Sequence, residues 1–107
     1  MSSILKTIKT LVISGDVRIS EHGYDELSND DLTAREIIGG LESAILIEDY
    51  PNYPKGASVL VLQTDKNGQS VHVVWGIPKG NERPAVLVTA YRPDPDRWNK
   101  NFTERKR

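Results

Sequence analysis

Two imidazoles, His22 and His72, stand in this chain with a phenol at the end of an extended run, Tyr91, and the guanidiniums of Arg18, Arg92 and Arg97. Imidazole moves protons near neutral pH, so it suits a general base or a general acid. A guanidinium fork matches two oxygens of a phosphate. The set supports acid–base chemistry at a phosphate, with His22 as base, His72 or Tyr91 as acid, and Arg92 or Arg97 on the developing charge. That pairing needs the two imidazoles close in space. Ser20 is a good N-cap, which puts His22 in the first turn of a helix, where the dipole disfavours imidazolium and keeps a base neutral. The same position suits a histidine that only hydrogen-bonds beside a cap. Lys55 lies in the loop from Asp49 to Gly56 with Tyr50 and Tyr53; these residues could contact a ligand or simply pack the loop.

The elements that must position these groups centre on the stretch from Ala57 to Pro93. Val59–Thr64 and Ser70–Trp75 are β-prone runs flanking Asn67-Gly68, a two-residue hairpin signal. A type I′ turn there sets Thr64 opposite Val71, Gln63 opposite His72 and Leu62 opposite Val73. Leu60, Leu62, Val71, Val73 and Trp75 then share a core face, and Val61, Gln63, Ser70, His72 and Val74 share an open one. A third run, Ala85–Tyr91, follows the break Pro78-Lys79-Gly80-Asn81. Ala44–Glu48 reads as a first strand beside this meander or at its edge.

Upstream, Ile4, Leu5, Ile8, Leu11 and Val12 recur at helical spacing and stop near Gly15, making an amphipathic cover for the core face. Val17–Ile19 is a short extended lead-in. Thr33-Ala34-Arg35-Glu36 is a capping box before Ile37, Ile38 and Leu41. Beyond Tyr91, Asp96 is placed to cap a turn that docks Trp98 and Phe102. The expected fold is α+β, with N-terminal helices packed on one face of a four-stranded, mainly antiparallel sheet. It forms one domain over residues 1–107: a helical part, 1–43, the sheet, 44–92, and a basic tail, 93–107.

The 107 residues contain no cysteine, which excludes disulfides and thiolate metal sites. No leader or membrane span is legible, so a soluble cytoplasmic protein is expected. The formal net charge of −1 conceals an asymmetry. Between Asp16 and Asp49 ten acids face only Arg18 and Arg35; from Arg92 onward six bases face three acids. The tail could touch phosphates or an acidic partner, or be plain solvated surface. The overall basic charge usual for nucleic-acid binding is missing.

Ser20-x-His22, Asp30-Asp31-Leu32-Thr33, Glu48-Asp49-Tyr50-Pro51, Val71-His72-Val73-Val74 and Tyr91-Arg92-Pro93-Asp94-Pro95-x-x-Trp98 together resemble a small bacterial family, domain-of-unknown-function family 4258, from about Arg18 to Arg107. Its layout is similar to that of RelE- and BrnT-type toxins of toxin–antitoxin systems, the barnase-like ribonuclease group. The resemblance implies a RelE-like fold, helices packed on an antiparallel sheet, with RNA cleaved on the open face and a cognate antitoxin as partner. On the chemistry of the side chains, metal-independent cleavage would then fall to His22, His72 and Tyr91 and substrate binding to Arg18, Arg92, Arg97 and Lys55, with no cofactor. Glu26 stands where many relatives carry a basic residue, which speaks against phosphate binding by that helix. Glu26 and the mild charge fit a second reading, a non-catalytic binding or regulatory module. A third, a metal-dependent hydrolase, would use Asp25 and His22 on one helical face. An uncovered sheet face or edge strand would be the natural place for a partner; the oligomeric state is left open.

Overall fold

Strand β5, Ala85–Tyr91, has a partner on each side, and one of them is parallel. The computed structural model describes residues 3–106. Its elements are α1 (Ser3–Ile13), β1 (Val17–Ile19), α2 (Glu21–Asn29), α3 (Ala34–Gly40), β2 (Ile45–Tyr50), β3 (Ser58–Thr64), β4 (Ser70–Gly76) and β5. The sheet runs β1-β5-β4-β3-β2. It has five strands and is mixed, not four-stranded. The added strand is Val17–Ile19, which pairs in parallel with β5 from Val17 opposite Ala85 to Ile19 opposite Leu87. Three residues are too few to show a period, so the sequence gives only an extended segment. Polar ties hold it in place. The Ala85 amide donates to the Asp16 carbonyl, the Asp16 carboxylate takes Arg83, and the Ser20 hydroxyl donates to the Val88 carbonyl at 2.8 Å. The same hydroxyl oxygen accepts from the Gly23 amide, so Ser20 caps α2 as expected. Thr33 and Glu36 form the expected capping box of α3.

The β3–β4 hairpin departs from the expected register by one residue. Thr64 faces Ser70, Gln63 faces Val71 and Leu62 faces His72. The loop contains Lys66, Asn67 and Gly68, closed by an Asp65 amide bond to the Gln69 carbonyl. Only Gly68 adopts positive φ, at 78°, which makes a three-residue turn in place of type I′. The cause is Asp65. Its carboxylate accepts from the Asn67 and Gln69 amides at 2.8 and 2.9 Å, a side-chain mimic of a backbone turn. The slip reverses both faces of β3 and leaves β4 as read.

The core face therefore carries Val59 and Val61 opposite Trp75 and Val73, joined by Leu87 and by Ile8, Leu27, Ile37 and Leu41 from the helical layer. Each fully buried aliphatic side chain contributes roughly 1.5–3 kcal/mol. Gln63, expected on the open face, lies inside at 2 % exposure. Its amide donates to the Ile37 carbonyl at 2.7 Å, and its side-chain oxygen accepts from the Trp75 indole at 2.9 Å. One polar side chain thus satisfies two buried groups and ties α3 to the sheet.

Beyond β5 the chain turns at Asp94, which accepts from the Asp96 amide through its side chain and from the Arg97 amide through its carbonyl. Asp94, not Asp96, organises this turn. The chain then doubles back, with Trp98 bridged to Arg105, and lies on the open face.

Candidate functional site

The open face is divided into two parts. The first is covered by the C-terminal tail. His72 sits there on β4, opposite Tyr91 on β5 and fully buried. Its ring makes T-shaped contacts with Trp98, at 4.3 Å between centroids, and with Tyr91, at 5.6 Å. Nε2 lies 2.7 Å from the Phe102 carbonyl oxygen. A carbonyl only accepts, so Nε2 carries the proton, and Nδ1 is left as a buried acceptor with no hydrogen-bond partner. Burial lowers the His72 pKa below its usual 6.5, opposed by the bond to Phe102. The Phe102 backbone, at φ 59°, aims its carbonyl at the ring.

A chain of charge closes this part. Arg105 lies over the Trp98 ring at 4.7 Å and donates to Glu48 at 2.9 Å. Arg105 holds the Glu48 carboxyl below its usual range, helped by a short hydrogen bond from the Tyr50 hydroxyl. Burial, then the Glu48 bond, push the Tyr50 phenol up to about 12. Burial also raises the Tyr91 pKa.

The second part is a groove of about 690 Å³ that the described residues leave open. Arg18 comes from β1, His22 from the first turn of α2, Tyr50 from the end of β2, and Tyr53 and Lys55 from the following loop. The floor includes Val74, Val86 and Val88. An extra residue in β5 opposite β4 lets both Val88 and Thr89 line it. Lys55 is fixed at the rim because its carbonyl accepts from the Lys79 amide, and Gly56 follows at φ 131°. A Cβ on Gly56 would stand 1.9 Å from the Ile77 carbonyl oxygen, so only glycine lets these loops meet. None of the lining residues is Asp or Glu. The His22 side chain is 67 % exposed, with Nε2 3.7 Å from Glu26.

The residues singled out in the sequence thus fall into separate groups. Arg18, His22 and Lys55 come together in the groove. His72 and Tyr91 meet under the tail. Arg92 is at the hairpin turn, where it donates to the buried Asp65 carboxylate at 3.0 Å and its own amide donates to Asp30. Bonds from the Gln69 and Asn67 amides and from Arg92 hold the Asp65 carboxyl low. Arg97 is 83 % exposed beside Asp94. The expected base and acid therefore do not share a chamber: one faces solvent and the other is sealed by indole, phenol and backbone. Sequence reasoning missed Glu48 and Arg105, the pair that latches the tail. Their only signal is opposite charge at distant positions.

The described residues include no helix long and apolar enough to cross a membrane. They also include no group of three or more His, Cys, Asp or Glu able to hold a metal ion, so Asp25 and His22 gain no third ligand. Among protein families, the model for a domain of unknown function, DUF4258, matches residues 19–92. No curated protein matches the chain, and no solved structure does. The match carries no tie to RelE- or BrnT-type toxins. The expectation of a RelE-like, RNA-binding ribonuclease or hydrolase of a toxin–antitoxin system is corrected accordingly: the matched family is a domain of unknown function, and the described residues hold no group able to bind a metal ion. With most of its length matched, including α2, α3 and strands β2 to β5, the chain belongs to the DUF4258 family.

Proposed function

We propose that this domain is a non-catalytic binding module whose ligand site is the groove of the open face. One observation carries the reading: Arg18, His22 and Lys55 converge with Tyr50 and Tyr53 over a valine floor, with no carboxylate in the lining. A concave, largely apolar site with a few placed polar groups is the usual form of a binding pocket. The cations select an anionic group, and the floor and tyrosines take an apolar body. The sealed His72 supports the same reading, because its one open nitrogen faces no solvent and cannot exchange a proton with a ligand.

The test is an amide NMR titration of the full chain with a panel of anionic probes that differ in their apolar part. Shifts should cluster at residues 18–22, 50–58, 74–78 and 86–89. Conversion of a bound probe to product, or shifts confined to the residues around His72 and Trp98, would overturn the reading.

A further inference from the structure

We infer that the groove takes a segment of a partner polypeptide, acidic and carrying an aromatic anchor, as the other half of the same face takes the chain's own tail. This rests on the binding-module reading and adds the class of ligand.

The tail shows what this face accepts. It seats one aromatic, Trp98, at 4 % exposure, in a T-shaped contact with a ring on the sheet. It offers a backbone carbonyl to a side-chain donor on β4. It then fixes its register with a charge, Arg105, against an opposite charge on the wall, Glu48. Anchor, carbonyl and charge pair are the ordinary components of peptide recognition.

The groove repeats these components with the charge inverted. Tyr53 stands 52 % exposed beside Tyr50, walls for an aromatic or aliphatic anchor. Thr89 supplies a hydroxyl, while those of Ser20 and Ser58 are already donated to the Val88 and Gly56 carbonyls. Arg18 and Lys55, with His22 beside them, supply charge opposite in sign to that of Glu48 in the capped half. Among the described residues Arg18, Arg35 and the lysines are in no ion pair, and of these Arg18 and Lys55 line the groove, while Arg83, Arg92, Arg97 and Arg105 each have a carboxylate. Charge complementarity therefore calls for Asp or Glu in the incoming segment.

A polynucleotide fits less well. Its charge repeats along the strand, so affinity needs a basic track longer than one groove. Here α2 continues from His22 into Asp25 and Glu26, and the chain as a whole is −1. Those acids repel a uniform polyanion, whereas a peptide carries its charges only where they meet Arg18 and Lys55.

The experiment is fluorescence anisotropy on the full chain with four dye-labelled probes. These are a short peptide with Trp between Asp and Glu residues, the same peptide with Lys for each acid, an acidic peptide without aromatics, and a single-stranded oligonucleotide. The first should bind best and weaken as salt rises. Arg18→Glu and Lys55→Glu should each weaken it about tenfold, about 1.4 kcal/mol. The Lys-bearing peptide should gain affinity for these two variants, an outcome that general damage would not produce. Equal binding of the two charged peptides to the unaltered chain would overturn the inference. Tighter, Arg18-dependent binding of the oligonucleotide would also overturn it, leaving the binding module standing with another ligand. Concentration-dependent self-association lost in Arg18→Glu would overturn it in favour of a second copy, whose exposed Tyr24 lies between Glu21 and Asp25. If no probe moved a groove amide by NMR, the binding-module reading would fall with it.

Discussion

The two halves of the open face are laid on the same strands, yet one buries its histidine completely and the other leaves its histidine in water. Strand β4 supplies His72 to the first and Val74 and Gly76 to the second. Over the first, an indole excludes solvent, a carbonyl satisfies one ring nitrogen, and Arg105 on Glu48 latches the edge. Over the second the described residues place no such strap. The difference teaches that a residue type does not set its role: the same imidazole is a neutral structural donor under the tail and a solvated side chain at the groove. The cover of the open face, and one helix of the several that cover the core face, lie outside the family match. Helix α1 lies before residue 19 and packs on the core face, while the tail lies beyond residue 92 and packs on the open one.

The strongest way to break the contrast is to remove the indole. Trp98→Ala should cost about 3–5 kcal/mol by denaturant unfolding, in the range for a buried aromatic truncated to alanine. It should also uncover His72. Its ring should then titrate near 6.5 in an NMR pH series, where the native ring titrates lower. A native-like titration in the variant would show that the tail does not set the burial.

Acidification tests the same seal without a mutation. The unfolded histidine takes up a proton near pH 6.5 and the folded one resists it, so the unfolded state binds more protons in that window. Stability should be flat above about pH 6.5 on this account and fall as pH drops through the window toward the lower folded value. His72→Gln, which can still donate to the Phe102 carbonyl, should flatten that part of the curve. The carboxylates Glu48 and Asp65, whose pKa values are depressed, lose their contribution only at lower pH. A curve whose only fall lies in that lower range would exclude the histidine.

Smaller effects follow at the rim. Arg105→Ala should cost about 1 kcal/mol or less, because the pair with Glu48 is largely exposed and the cation–π contact is of similar size. The loss should shrink in high salt. Least of all, Tyr53→Ala and Lys55→Ala in the groove should leave unfolding within about 0.5 kcal/mol. A larger loss there would mean that the groove is part of the core, which would erase the contrast.

Much of this architecture was legible because it is written in local chemistry. Ser20 and Thr33 announce two helix starts, and the valine-rich runs announce the meander. What escaped depends on contacts between distant residues. Asp65 alters the turn beside Asn67-Gly68 by one residue, and that slip carries Gln63 from the open face into the core. The gathering of Arg18, His22 and Lys55 was not legible either, because they come from β1, α2 and the loop after β2 and meet only when β1 lies along β5. The burial of His72 was hidden for the same reason, since its lid is drawn from residues 98–105.

That parallel pairing of β1 with β5 also sets a schedule. Ser20 is bonded to Val88, 68 residues further on, so the early part of the chain waits for the late part. During synthesis, helix α1 can form as soon as it emerges, but β1 has no edge to join until β5 is made and paired with β4. Closing so long a loop carries an entropic cost before any contact repays it, which slows the last step of folding. The groove, with one wall from β1, is therefore completed last, and a nascent chain stopped before Ala85 has a meander but no binding site.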